Sequence, residues 1–138
     1  INDKKRLLSL YENDGVKEPK DLVRFEIIDG YPIFEVMVNS SPIKATLSFG
    51  NIEPVISEKL KNLLSLKTRE IAVSNTNCDS CSISKAQIII TPTDRSYFKT
   101  EAVVANLSGK PYDLILGLEY LKEKELLINY KDKWFSIN

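Results

Sequence analysis

Three stretches of this sequence carry the residue types that chemistry uses. Cys78-Asp79-Ser80-Cys81 sets two thiols at the spacing that binds zinc or exchanges disulfides. It supplies only two thiolates, with no second cysteine pair and no βαβ pattern around it. Two readings stand: a plain or oxidised turn, or a metal or redox role bridging two subunits. The second stretch is Lys44-Ala45-Thr46-Leu47-Ser48-Phe49-Gly50-Asn51, followed by Glu53. The third is Asp113 ahead of Leu114-Ile115-Leu116-Gly117. The chain has no histidine, which removes Ser-His-Asp and Cys-His catalysis and makes a metal site harder to assemble. Ser48 by itself reads as a strand-end serine bonded to local backbone, and Glu53 as a solvated glutamate at a helix start. No metal and no cofactor is expected.

The 138 residues, 43% of them hydrophobic, suffice for one domain with one core. Nineteen basic and nineteen acidic residues cancel, leaving no long-range field to gather phosphate backbones or an anionic membrane. Neither nucleic acid nor membrane is expected as a partner. No apolar run approaches the roughly 20 residues of a membrane span, and the start Ile-Asn-Asp-Lys-Lys-Arg lacks the apolar stretch of a signal peptide. A start at Ile1 reads as a piece of a longer polypeptide. Two cysteines make no disulfide scaffold, which favours an intracellular setting, cytoplasmic or nuclear. Asn39-Ser40-Ser41 and Asn106-Leu107-Ser108 match the glycosylation acceptor pattern, a match that arises by chance in a chain rich in Asn and Ser.

The hydrophobic pattern supplies the elements that must position these residues. Residues 1–24 form a charged lead-in or linker, where Leu7, Leu8, Leu10 and Tyr11 suggest a short helix before Asn13-Asp14-Gly15. Residues 25–138 form the domain proper. Phe25 and Ile27, then residues 33–38, then Ile43, Ala45 and Leu47 read as strands, the last two joined through Asn39-Ser40-Ser41-Pro42. Val55, Ile56, Leu60, Leu63 and Leu64 fit one face of a short helix, with Pro54 in its first turn. Residues 69–73, 83–91 and 97–105 are β-like, and the polar gap 75–82 suits a hairpin tip. Residues 114–116 form a short strand closed by Gly117, 118–124 form two helical turns, and 126–130 and 134–137 form a closing hairpin.

That order of elements resembles the retropepsin family of aspartic proteases. In the family an Asp-Thr/Ser-Gly loop follows a strand ending in small and apolar residues and leads to an Ile-Ser helix start. Here Ala45-Thr46-Leu47-Ser48-Phe49-Gly50 and Val55-Ile56-Ser57-Glu58-Lys59-Leu60 stand in those places. The second family mark, an apolar pair before glycine, is matched by Leu114-Ile115-Leu116-Gly117, in the form seen especially in retrotransposon-type proteases. The resemblance covers residues 33–137 and implies an all-β fold: a closed β-barrel subunit with a flap hairpin and one or two short helices.

It also implies what the chain lacks. In active members each subunit of a homodimer supplies one aspartate, and two carboxylates about 3 Å apart share a proton and activate water. Ser48 stands at that position, and its hydroxyl does not ionise near neutral pH, so it is no general base. Phe49 stands where the family has a hydroxyl that bonds across the dimer, while Gly50 is retained. The expectation is a pseudoprotease from a retroelement-derived protein, working as a homodimer or by holding another protein or an extended peptide in its cleft. The alternatives are an aspartic endopeptidase whose aspartate is replaced in this chain or supplied by an active partner subunit, and a passive tether. The resemblance places Asn77, Cys78, Asp79, Ser80 and Cys81 at the flap tip, and Asp113 in a structural position. Leu127, Trp134, Phe135 and Ile137 join Phe49 as interface candidates, with ordinary core residues as the equal alternative for those four.

Overall fold

The computed structural model describes residues 8–12, 22–75, 78–93, 96–122 and 124–137. Strands follow the expected periodicity. β1 is Leu8–Glu12, β2 Val23–Arg24, β3 Glu26–Ile28, β4 Tyr31–Val38, β5 Ser41–Leu47 and β6 Val55–Ser57. After helix α1 (Glu58–Leu63) come β7 (Thr68–Asn75), β8 (Cys78–Thr93), β9 (Ser96–Ala105) and β10 (Leu114–Leu116). Helix α2 (Leu118–Leu121) precedes the closing hairpin of β11 (Lys124–Asn129) and β12 (Trp134–Ile137).

Two tight turns set the first hairpins. Asp29 and Gly30 have φ of 53° and 83°, and Asn39 and Ser40 have φ of 48° and 70°. Paired positive φ values match the right-handed twist of the flanking strands, and Asp, Asn and Gly tolerate them best. The main sheet runs β3-β4-β5-β10-β6-β9-β8-β7, and β4 also pairs with β8 through Met37↔Thr91 and Val38↔Ile90. That extra pairing closes β4, β5, β10, β6, β9 and β8 into a six-stranded ring, the expected closed barrel. Phe34, Val36 and Val38 of β4, Ile88 and Ile90 of β8, and Leu114 and Leu116 of β10 fill it, all at most 3% exposed. Alternation along β4 and β8 sends these residues inward and Glu35, Met37 and Gln87 outward.

A second sheet, β1-β11-β12-β2, shares the barrel's core through Leu126, Ile128 and Phe135. Phe135 carries its inner face into the barrel core, meeting Phe34 edge-on at 4.8 Å and stacking on Phe25 at 6.3 Å between ring centroids.

The structure corrects several expected elements. The short helix anticipated around residues 7–11 is strand β1, paired in parallel with β11 from Leu8↔Lys124 to Glu12↔Ile128. Leu8 and Leu10 fit period 2, whereas Leu7, Leu10 and Tyr11 fit period 3.6, and an available sheet edge decides between them. Residues 8–12 and 23–24 thus belong to the second sheet. Val55 and Ile56 are not helical: they form β6, held between β10 and β9, and the helix begins only at Glu58. Ser57 accepts from the Leu60 amide at 2.9 Å, a side-chain N-cap that fixes this start. Helix α2 stops at Leu121, because Lys124 is drawn into β11. The polar stretch from Cys78 to Ser82, expected at a hairpin tip, already lies in strand β8.

Tyr120 of α2 packs edge-on against Phe98 at 5.3 Å, and burial pushes its phenol up to about 12 from 10.0. The unfolded chain then releases this proton first as the solution becomes alkaline. Stability present below pH 10 is lost between about pH 10 and 12, by about 2–3 kcal/mol. Denaturant melts across that range should show this decline in the wild type and lack it in Tyr120→Phe.

Candidate functional site

The loop joining β5 to β6 holds the residues singled out by their chemistry. It leaves the barrel where the Ser48 amide donates to the Leu116 carbonyl at 3.0 Å, which binds its first residue to the end of β10. The Ser48 hydroxyl donates to Asn51 Oδ1 at 2.9 Å and accepts from the Gly50 amide at 3.2 Å. Ser48 therefore closes a local turn around Phe49 and Gly50.

The far side of the loop is held by α2. Its leading amides, which no helical carbonyl can satisfy, donate to the loop: Leu118 to the Asn51 carbonyl at 2.7 Å and Glu119 to the Ile52 carbonyl at 2.9 Å. Gly117 permits this approach. A Cβ there would stand 2.6 Å from the Asn51 oxygen, 2.8 Å from that of Ile52 and 3.0 Å from that of Glu53. The apolar run ending in glycine and the Ser48 loop are thus two halves of one packed unit.

The carboxylates nearest in sequence are committed elsewhere. Glu53 faces the Lys85 ammonium, 2.9 Å from Oε1 and 2.8 Å from Oε2. Asp113 accepts from the Ser57 hydroxyl at 2.8 Å, while its amide donates to Lys44 and its carbonyl accepts from Ser57. Asp113 thereby joins β5, β6 and the lead into β10. Arg69 forms a bidentate pair with Glu101 across the sheet, and the guanidinium holds that carboxyl below its ordinary range.

Phe49 is 46% exposed and borders an apolar pocket of about 160 Å³ whose other walls are Phe25, Pro32, Leu47, Ile128, Tyr130 and Phe135. Tyr130 is likewise half exposed. Trp134 and Phe135, by contrast, are 0% and 2% exposed within the single chain, and Leu127 and Ile137 are partly buried. Of the five interface candidates, only Phe49 presents a largely open side chain.

Among the flap residues, Asn77 lies outside the described residues, and Cys78, Asp79, Ser80 and Cys81 form the head of β8. Cys81 is disulfide-bonded. Among the described residues no cluster of three or more His, Cys, Asp or Glu side chains is placed to hold a metal, and no helix is long and apolar enough to cross a membrane. A polar cluster that sequence reading missed joins Tyr31, Lys110 and Tyr112. Lys110 donates to the Tyr31 hydroxyl at 3.2 Å and lowers its pKa, while burial raises that of Tyr112. Seventy-nine positions separate Tyr31 from Lys110, so no local pattern signals the contact.

Replacing Gly117 by alanine should cost about 1–3 kcal/mol, because backbone oxygens must move to admit the methyl. Urea unfolding of Gly117→Ala against the wild type measures it, and a change below about 0.5 kcal/mol would contradict the close packing assigned here.

No protein-family model matches the chain, and no curated protein sequence matches it. Solved structures do. A retropepsin-like aspartic protease from Rickettsia conorii superposes with a TM-score of 0.58 at 17% identity, covering 85% of this chain and 89% of that one. The retroviral protease-like domain of Ddi1 from Leishmania major gives 0.55 at 16% identity, covering 78% and 88%. EIAV protease, solved with the inhibitor HBY-793, gives 0.50 at 19% identity, covering 70% and 89%. Barrel, loop and hairpin together give this chain the all-β fold of the retropepsin-like aspartic proteases.

Proposed function

We propose that this chain is a retropepsin-like module without aspartic-protease chemistry, derived from a retroelement protein, that works by associating with a second copy of itself. What supports the reading is Ser48 in the β5–β6 loop, at the position where the family resemblance expects a carboxylate. Two such hydroxyls, brought together in a dimer, can hold a water by hydrogen bonds but cannot take its proton at neutral pH. The Ser48 hydroxyl is moreover occupied by Asn51 and Gly50. Glu53 and Asp113, the carboxylates that flank the two motifs, are tied to Lys85 and Ser57.

Phe49 supports the association. An exposed aromatic ring beside an apolar pocket on the same face is self-complementary, so a twofold axis there lets each ring enter the other copy's pocket. A hydrophobic anchor of this kind would replace the hydroxyl bond that the family resemblance implies at the position. With Trp134 and Phe135 committed to the chain's own interior, the contact surface is centred on Phe49 and Tyr130.

A second reading rests on β7. Among the described residues it pairs on one side only, with β8, and its other edge is where an extended peptide can add as a strand.

Sedimentation equilibrium over a concentration series should show a dimer that Phe49→Asp weakens by about thirtyfold or more, the scale of a lost aromatic anchor. A peptide-library assay on the same sample, at acidic and neutral pH, should yield no pepstatin-sensitive cleavage. Such cleavage would overturn the non-catalytic reading; a monomer at all concentrations would overturn the dimer.

A further inference from the structure

The head of β8 carries a feature that self-association does not use. Cys81 is disulfide-bonded, no described cysteine is free, and the sequence holds one other cysteine, Cys78. Both belong to the same strand. In a regular strand, residues three apart are separated by about 10 Å, whereas a disulfide requires Cα atoms within about 7 Å. A Cys-x-x-Cys bridge is therefore incompatible with uninterrupted β-geometry.

The structure has the needed interruption at this point. Asn75 pairs with Cys78 and Val73 pairs with Cys81, so β7 advances two residues while β8 advances three. From Val73↔Cys81 to Thr68↔Ala86 the register is regular. The single excess residue is a β-bulge lying between the two cysteines, and it shortens the path that the bridge must span.

We propose that Cys78 and Cys81 form a thiol–disulfide exchange site whose oxidised state holds the bulge at the head of the β7–β8 hairpin, and whose substrate class is a dithiol reductant. One thiolate of the reductant attacks the Cys81 sulfur, the Cys78–Cys81 bond breaks, and Cys78 leaves as a thiolate that takes up a proton. The reductant's second thiolate then attacks its own sulfur in the mixed disulfide, releasing Cys81 as a thiolate that is protonated in turn. Two electrons and two protons pass to the protein, and the reductant leaves as a disulfide. Once the link is gone, nothing covalent requires an extra residue in β8, and the strand is free to exchange the bulge for other pairings. Cys81 is partly exposed, which gives a reductant access. The barrel closes without this region, through β4 and β8 at Val38↔Ile90, so the hairpin head can change while the core persists. The site stands independently of the dimer and of the missing catalytic aspartate.

The test is to equilibrate the purified chain in dithiothreitol buffers, a dithiol and its cyclic disulfide, from fully oxidised to fully reduced. Thiols are trapped by alkylation for mass analysis, and amide hydrogen exchange is followed at each end point. The expected result is a reversible change between no alkylation and two alkylations within that range. Exchange over residues 73–82 should then rise about tenfold or more on reduction, with residues 114–116 unchanged. A Cys78→Ser, Cys81→Ser variant should show the reduced pattern in oxidising buffer. Four results would each overturn the proposal: a bond that the dithiol never reduces, reduction with no change at the hairpin head, loss of protection throughout the barrel, or a double variant with the oxidised pattern. The third would make the bridge a staple of the whole fold.

Discussion

The absence of a side chain at Gly117 is the constraint on which the loop arrangement rests. Three carbonyl oxygens of the β5–β6 connection lie within 3.0 Å of where a Cβ would be, and the first amides of α2 bond to two of them. That contact satisfies donors a short helix leaves open and acceptors an irregular loop leaves open. It also fixes the direction of the chain on either side. Ser48 is bound to Leu116, and the strand after the loop returns antiparallel to β10. Within the loop the Ser48 hydroxyl adds bonds to Asn51 and Gly50, so backbone and side chain together hold its shape.

The charged groups near this loop serve the scaffold. Asp113 gathers Ser57 and, through its backbone, Lys44, so one residue links the lead into β10 with two neighbouring strands. Ser57 in turn caps α1. Glu53 compensates Lys85, whose side chain is only 14% exposed and would be costly to bury alone.

Much of the barrel was legible because alternation is a strong local signal. β4, β5, β9 and β12 fall within two residues of where apolar and polar positions alternate. The misreadings share a cause. Leu7, Leu8, Leu10 and Tyr11 offer both a period-2 and a period-3.6 pairing, and Val55-Ile56 belongs to a short apolar run that periodicity alone cannot assign, so the outcome is set by which sheet edge lies near, a fact of tertiary structure. The site was legible in part. Ser48 and Gly117 could be marked from order and spacing. The partnership of Ser48 with Asn51, the pairing of Glu53 with Lys85 and the Tyr31–Lys110 contact depend on distant segments or on side-chain geometry. Trp134 and Phe135 carry no sequence mark that separates core from interface; as neighbours on a strand they face opposite sides, and both are buried within the single chain.

The pairing of β1 with β11 bears on how the chain reaches this state. Leu8 lies opposite Lys124, so the two strands come from nearly opposite ends of the sequence, and they run in parallel with no crossover to hold them together. Closing so long a loop costs chain entropy before any hydrogen bond repays it, whereas the β4–β5 and β7–β8 hairpins form from neighbours. During synthesis the segment 8–12 emerges before the other described strands and has no partner until β11, at residues 124–129 of 138, is made. The segment therefore stays unpaired through most of synthesis, and its docking is what covers the outer edge of β11.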